Sequence, residues 1–189
     1  MTGFIIDQQK LPHLFPTHKH SPIFWEKLGR AVASFGFLEE VLGRAIFAFT
    51  ATRKYADNEI EQAYQTWLPQ LMRALTDSLS NLVDSYGKVA LDNPQVTTAN
   101  INDLVEDLKK ALVIRNVICH GSWQQPNANG ASIPLYVDKK KGVFETPIDV
   151  AYLEQLQMHV AELACRVINT ITLAGWRFPG TTGPGKPIA

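Results

Sequence analysis

Apolar residues return every three or four positions along four stretches of this chain, the spacing of one face of an α-helix. In the first, Phe24, Leu28, Ala31, Phe35, Leu42, Ile46 and Phe49 follow Ser21, a good N-cap, and Pro22, which suits the first helical position. Gly29, Gly36 and Gly43 recur every seven residues beside that row. A glycine inside a helix costs up to about 1 kcal/mol relative to alanine, so three in line predict unusually close packing there.

The second stretch opens at Asp57 and carries Ile60, Tyr64, Trp67, Leu68, Leu71, Leu75, Leu79, Leu82, Val83 and Tyr86 on one face. Pro69 falls inside it and predicts a kink or a split into two helices. The third begins at Asn100 as N-cap with Asp103 three residues on, a weak capping box. Its row is Ile101, Leu104, Val105, Leu108, Leu112 and Cys119, with Gly121 as the C′ residue that stops it.

Residues 121–146 lose the helical period. Short apolar runs at 133–137 and 143–146 flank Asp138 and Gly142, the pattern of a β-hairpin. Thr146, Pro147 and Asp149 then cap a last helix with Leu153, Leu156, Val160, Leu163, Val167 and Ile171 inward and Gly175 at its end. The expected fold is all-α, an antiparallel bundle of four to five helices with one small β-hairpin insertion before the last. An arm occupies 1–20, the helical bundle 21–176, and a mobile Gly/Pro-rich tail 177–189.

Apolar residues make up 46% of the 189, enough for one core without metal or disulfide staples. The pattern calls for no cofactor and no metal. His18 and His20, on a Pro-rich arm, make at most a poor metal pair and read as solvated loop residues. His159 is expected to pack at the edge of the last helix, and Lys139 to Lys141 to form a solvated turn. Cys119 and Cys165 both fall in helical patterns and are expected as small, reduced, buried residues. No run of about 18 apolar residues predicts a membrane span, and no basic segment followed by an apolar run marks the N-terminus as a secretory signal. A cytoplasmic protein is the expectation.

Charge narrows the function. Lys and Arg number 18, as do Asp and Glu, for a formal net charge of zero. A protein that grips nucleic acid over a broad phosphate-binding face is usually basic, so a small local site is the form a nucleic-acid function would take here.

One segment has chemical point. Residues 115–121, Arg-Asn-Val-Ile-Cys-His-Gly, close the third helix. Arg115 can fork onto phosphate oxygens, Asn116 can donate and accept, and His120 is the side chain type that moves protons near neutral pH. An arginine, a polar residue beside it, and a histidine after a four-residue gap near a helix end resemble the HEPN superfamily of helical bundles. That resemblance implies a metal-independent endoribonuclease of toxin or anti-phage type, or a module that only binds a nucleotide or protein. It also implies a homodimer through the end of the third helix, an RNA substrate and a cognate antitoxin.

Helix geometry bears on such a site. At about 100° per residue, Arg115 and His120 point about 140° apart, whereas Asn116 and His120 share a face. Two chains about a two-fold axis would bring all three types into one cleft. Glu39 is the remaining anomaly, a carboxylate inside the row of Phe35, Leu42 and Ile46. It needs a donor, and Arg115 is the best candidate; breaking such a pair costs about 3–5 kcal/mol when it is truly buried.

Overall fold

The computed structural model describes residues 4–52, 77–96, 100–138 and 140–188. Four helices dominate: α1, Pro22–Ala51; α2, Leu79–Leu91; α3, Ile101–His120; and α4, Val150–Leu173. No described residue belongs to an extended strand, so the chain is all-α in its described part.

The helices begin where side chains can take up their unpaired amide groups. Ser21 Oγ accepts from Phe24 N at the start of α1, with Pro22 in the first turn, and Asp149 Oδ1 accepts from Tyr152 N at 2.7 Å at the start of α4. Ser78 caps α2 in the same way through Asn81 N. The apolar row that runs on to Tyr86 is therefore broken at Ser78, beyond Pro69. Pro69 and the expected kink lie outside the described residues. At α3 the expected cap is absent: Asn100 stands in the left-handed region, φ 70°, and its side chain makes no cap hydrogen bond. Asparagine tolerates that conformation better than most residues, and here it turns the backbone into the helix.

Long-range contacts give the helices their directions. Lys27 pairs with Glu154 at 2.8 Å near the starts of α1 and α4, and Arg44 Nη1 donates to Pro179 O just past the end of α4. Asn93, just after α2, donates to Phe49 O near the end of α1. Lys109 of α3 meets Asp84 of α2, and a Cβ on Gly87 would touch Val105. So α1, α2 and α4 run one way and α3 runs against them. The helices that follow one another directly, α2 to α3 and α3 to α4, thus alternate in direction as expected, and residues 53–76, between α1 and α2, lie outside the described residues.

The core lies between these four faces. Phe24, Phe35, Leu38, Leu42 and Phe49 of α1 meet Leu79, Leu82 and Tyr86 of α2, Leu104 and Leu108 of α3, and Leu153, Val160, Leu163 and Ile171 of α4, all buried. Tyr86 carries the deepest polar contact. Its hydroxyl donates to Thr170 Oγ1 at 3.1 Å, and burial pushes the phenol up to about 12.

The connection between α3 and α4 is not a strand hairpin. Single antiparallel bridges join Ser122 to Leu135, Ser132 to Ile148 and Val137 to Val143. Pro134 removes a backbone donor from the first expected strand, and the pairing never extends into a ladder. Asp138 Oδ1 accepts from Lys140 N and Gly142 N, which folds the tip by side-chain bonding. Trp123 from this connection stands edge-on to Phe24 and Trp25, and His20 of the arm completes the cluster. His20 is thus buried, not solvated, stacked on Phe24 at 4.3 Å, while His18 stays exposed.

The chain after α4 lies back on the bundle. Arg177 N donates to Lys186 O and Lys186 N to Gly175 O. Phe178 is buried, and Trp176 Nε1 donates to Gln95 Oε1 at 2.8 Å. Cys119 and Cys165 are both exposed. Cys165 sits about 200° round the helix from Leu163, and Cys119 lies one residue from the end of α3. His159 is exposed as well.

His20 predicts a measurable acid sensitivity. Burial first, and Lys19 second, hold its pKa below the ordinary value, and its Nε2 is buried without a partner. Below about pH 6.5 the unfolded chain therefore binds a proton that the folded chain resists. Stability falls with pH through that range until the folded His20 protonates too. Urea midpoints between pH 5 and 8 should show this slope in wild type and a flatter one in His20→Phe.

Candidate functional site

Arg115 lies on the side of α3 that carries Leu104, Leu108 and Ala111 into the core. The row continues at the rim of the core, where Arg115 is partly exposed although Val117 and Ile118 beyond it are buried. Glu39 occupies the matching edge of α1, between buried Leu38 and exposed Glu40. The two meet, with Arg115 Nη2 3.5 Å from Glu39 Oε1. Arg115 Nη1 donates to Asn116 Oδ1 at 3.4 Å. Glu39, Arg115 and Asn116 thus form one polar chain across α1 and α3.

The pair is not fully desolvated. The side chains of Arg115 and Glu39 retain 30% and 33% of their exposure, so water screens their attraction. An ion pair of this kind contributes about 1 kcal/mol or less. That replaces the larger figure expected for a fully buried pair.

His120 is the last residue of α3 and is exposed. Gly121 follows with φ −70°, so it is extended, not the left-handed C′ residue expected. Glycine is needed there for space: a Cβ would come within 2.6 Å of Val117 O and 2.8 Å of Pro134 Cβ. The connection crosses α3 at this point, and it covers the side on which Val117 and Ile118 are buried. The opposite side, with Cys119 and part of Arg115, is left open. The structure therefore brings Arg115, Asn116 and Glu39 together and leaves His120 one helical turn further on, facing solvent.

Arg115 already has a carboxylate, so its charge is partly answered, yet its exposed fraction leaves N–H groups for a phosphate. Two open grooves of about 330 and 320 Å³ lie elsewhere, one lined by Leu91, Asn93 and Asn102 and the other by Arg30, Phe37 and Gln157. Neither includes Arg115 or His120. Among the described residues, no three His, Cys, Asp or Glu side chains cluster so as to hold a metal ion, and no helix is long and apolar enough to cross a membrane. Sequence reasoning overlooked Trp123, which follows the site closely and anchors the connection; a lone tryptophan in a Gly/Pro/Asn-rich loop was the available signal. Comparison of the chain with family models, curated proteins and solved structures finds no match.

The screening of the Glu39–Arg115 pair has a direct test. Glu39→Gln should lower unfolding free energy by about 1 kcal/mol or less, measured by urea denaturation. A loss of several kcal/mol would place the pair in a drier environment than its exposure indicates.

Proposed function

We propose that this chain is a HEPN-like endoribonuclease acting on single-stranded RNA as a homodimer. The observation that carries the proposal is the polar chain Glu39–Arg115–Asn116 beside an exposed His120 at the end of one helix. Glu39 orients the guanidinium across the helix pair. Arg115 stabilises the charge that gathers on phosphorus-bound oxygens in the transition state. Asn116 positions the phosphate or the imidazole.

His120 removes the proton from a ribose 2′-hydroxyl. The 2′-oxygen attacks the adjacent phosphorus, and the bond to the 5′-oxygen breaks. The second copy's His120 returns a proton to that leaving oxygen. The products are a 2′,3′-cyclic phosphate and a 5′-hydroxyl. Two copies suit the chemistry because Arg115 and His120 diverge by about 140° on one helix. A toxin or anti-phage role, with a cognate antitoxin as partner, belongs to the same reading.

The second reading is a non-catalytic module that holds a nucleotide or a protein partner. The open setting of the site favours it, since His120 is exposed and Arg115 keeps 30% of its side-chain exposure. The deciding experiment incubates the purified protein with mixed single-stranded RNA in a chelator. Wild type should cut RNA and spare DNA, which lacks the 2′-hydroxyl. His120→Ala should lose about 10²-fold or more, the scale of a general base, and Arg115→Ala a comparable amount. Absence of cleavage across many sequences hands the site to the binding module.

A further inference from the structure

The connection between α3 and α4 turns an apolar row toward water. Along 132–137, Ser132 and Pro134 are buried and Tyr136 packs on the core, whereas Ile133, Leu135 and Val137 are 42%, 60% and 53% exposed. Successive side chains of extended backbone point to opposite sides, so these three share one face. The bridges Val137–Val143 and Ser132–Ile148 agree on one antiparallel register. That register sets Val143, 58% exposed, beside Val137 and places Glu145 across from Leu135. Extended chain that packs on a core by one side ordinarily carries polar residues on the other. Contact with the bundle accounts for the inward row and leaves the outward one to water. Apolar patches of this kind, rimmed by polar groups, mark interaction surfaces.

We infer that this face docks an amphipathic helix of a second protein, acidic at the end that meets the tip of the connection. Spacing selects a helix. The outward side chains repeat at about 6.6 Å, close to the rise of about 6 Å between helix positions four apart. Apolar anchors on one helix stripe therefore fall between Ile133, Leu135 and Val137. The backbone edge is the poorer place to dock, because Pro147 takes a donor from its outer side.

Charge sets the direction. Lys140 and Lys141 are exposed at the tip. The Asp138 carboxylate beside them is bonded to the tip's own amides, those of Lys140 and Gly142. An anionic helix end is favoured there and a cationic one is not. An anionic lipid surface fits less well, since Glu145 borders the same row.

The inference goes beyond the proposed reaction, because it assigns a surface to a protein partner and holds whether or not RNA is cut. The connection covers α3 on the side of Val117 and Ile118, away from the open side with Cys119 and part of Arg115. A helix seated on its outer face leaves the open side of α3 free.

Fluorescence anisotropy with the full chain tests the docking. The probe is a labelled helical peptide with leucine at i, i+4, i+7 and i+11, alanine and glutamine elsewhere, and glutamates in its first turn; a second peptide carries lysines there. Wild type should bind the glutamate peptide at least about tenfold more tightly. Lys140→Glu and Lys141→Glu together should reverse that preference, which separates charge matching from any difference in the peptides' own helicity. Leu135→Ser and Val137→Ser should each weaken binding by about tenfold or more at an unchanged melting temperature, since both side chains stand in water. Phe4→Ser removes another apolar side chain, 98% exposed on the arm, and should leave binding as it is. No binding, equal binding of the two peptides, or a Phe4→Ser loss as large as that of Leu135→Ser would each overturn the inference. Sedimentation of the free chain and flotation with phosphatidylcholine–phosphatidylglycerol vesicles cover the other occupants. A dimer, or a vesicle-bound chain, that Leu135→Ser disperses would also overturn it, giving the face to a second copy or to lipid.

Discussion

The bundle depends on α1, because every other described helix packs against it. Its 30 residues span about 45 Å, longer than any partner, and its buried face is continuous from Phe24 to Phe49. At one end it meets the aromatic cluster of His20, Trp25 and Trp123; at the other it meets Asn93 and the returning tail. One helix therefore sets where α3 ends and how much of that end is uncovered. Arg115 meets α1 at Glu39, midway along its length.

Where periodicity alone decides, the sequence was a good guide. Ser21 with Pro22, and Asp149, marked helix starts because their side chains satisfy amide groups locally. Glu39 was legible for the opposite reason, since a carboxylate on an apolar row needs a donor and few cations lie on facing rows. What local pattern could not supply were the contacts that join distant helices. Whether α4 runs with α1 is decided by contacts between residues more than a hundred positions apart, such as Lys27 and Glu154. Exposure was no more legible: Cys119 belongs to the apolar row of α3 by angle, yet it is exposed. Gly121 reads from sequence as a helix stop, yet it is glycine because Pro134 passes over it.

The charge balance of the chain acquires meaning at this scale. A formal charge of zero is built from local pairs, several of them along one helix, so no broad field draws a polyanion toward the surface. Recognition at residues 115–121 would have to work through short-range geometry.

Asn93 gives the far end of the molecule a mechanical character of its own. Its Nδ2 donates to Phe49 O, its Oδ1 accepts from Gln95 N, and Gln95 Oε1 accepts from the Trp176 indole. Three helix ends that are distant in sequence thus share one run of hydrogen bonds. Fraying of α1 at Phe49 releases the turn after α2, and that release frees the indole holding the chain beyond α4. Local opening at this end is a single cooperative event instead of three independent ones, and amide exchange there reports the loosening of the whole end at once.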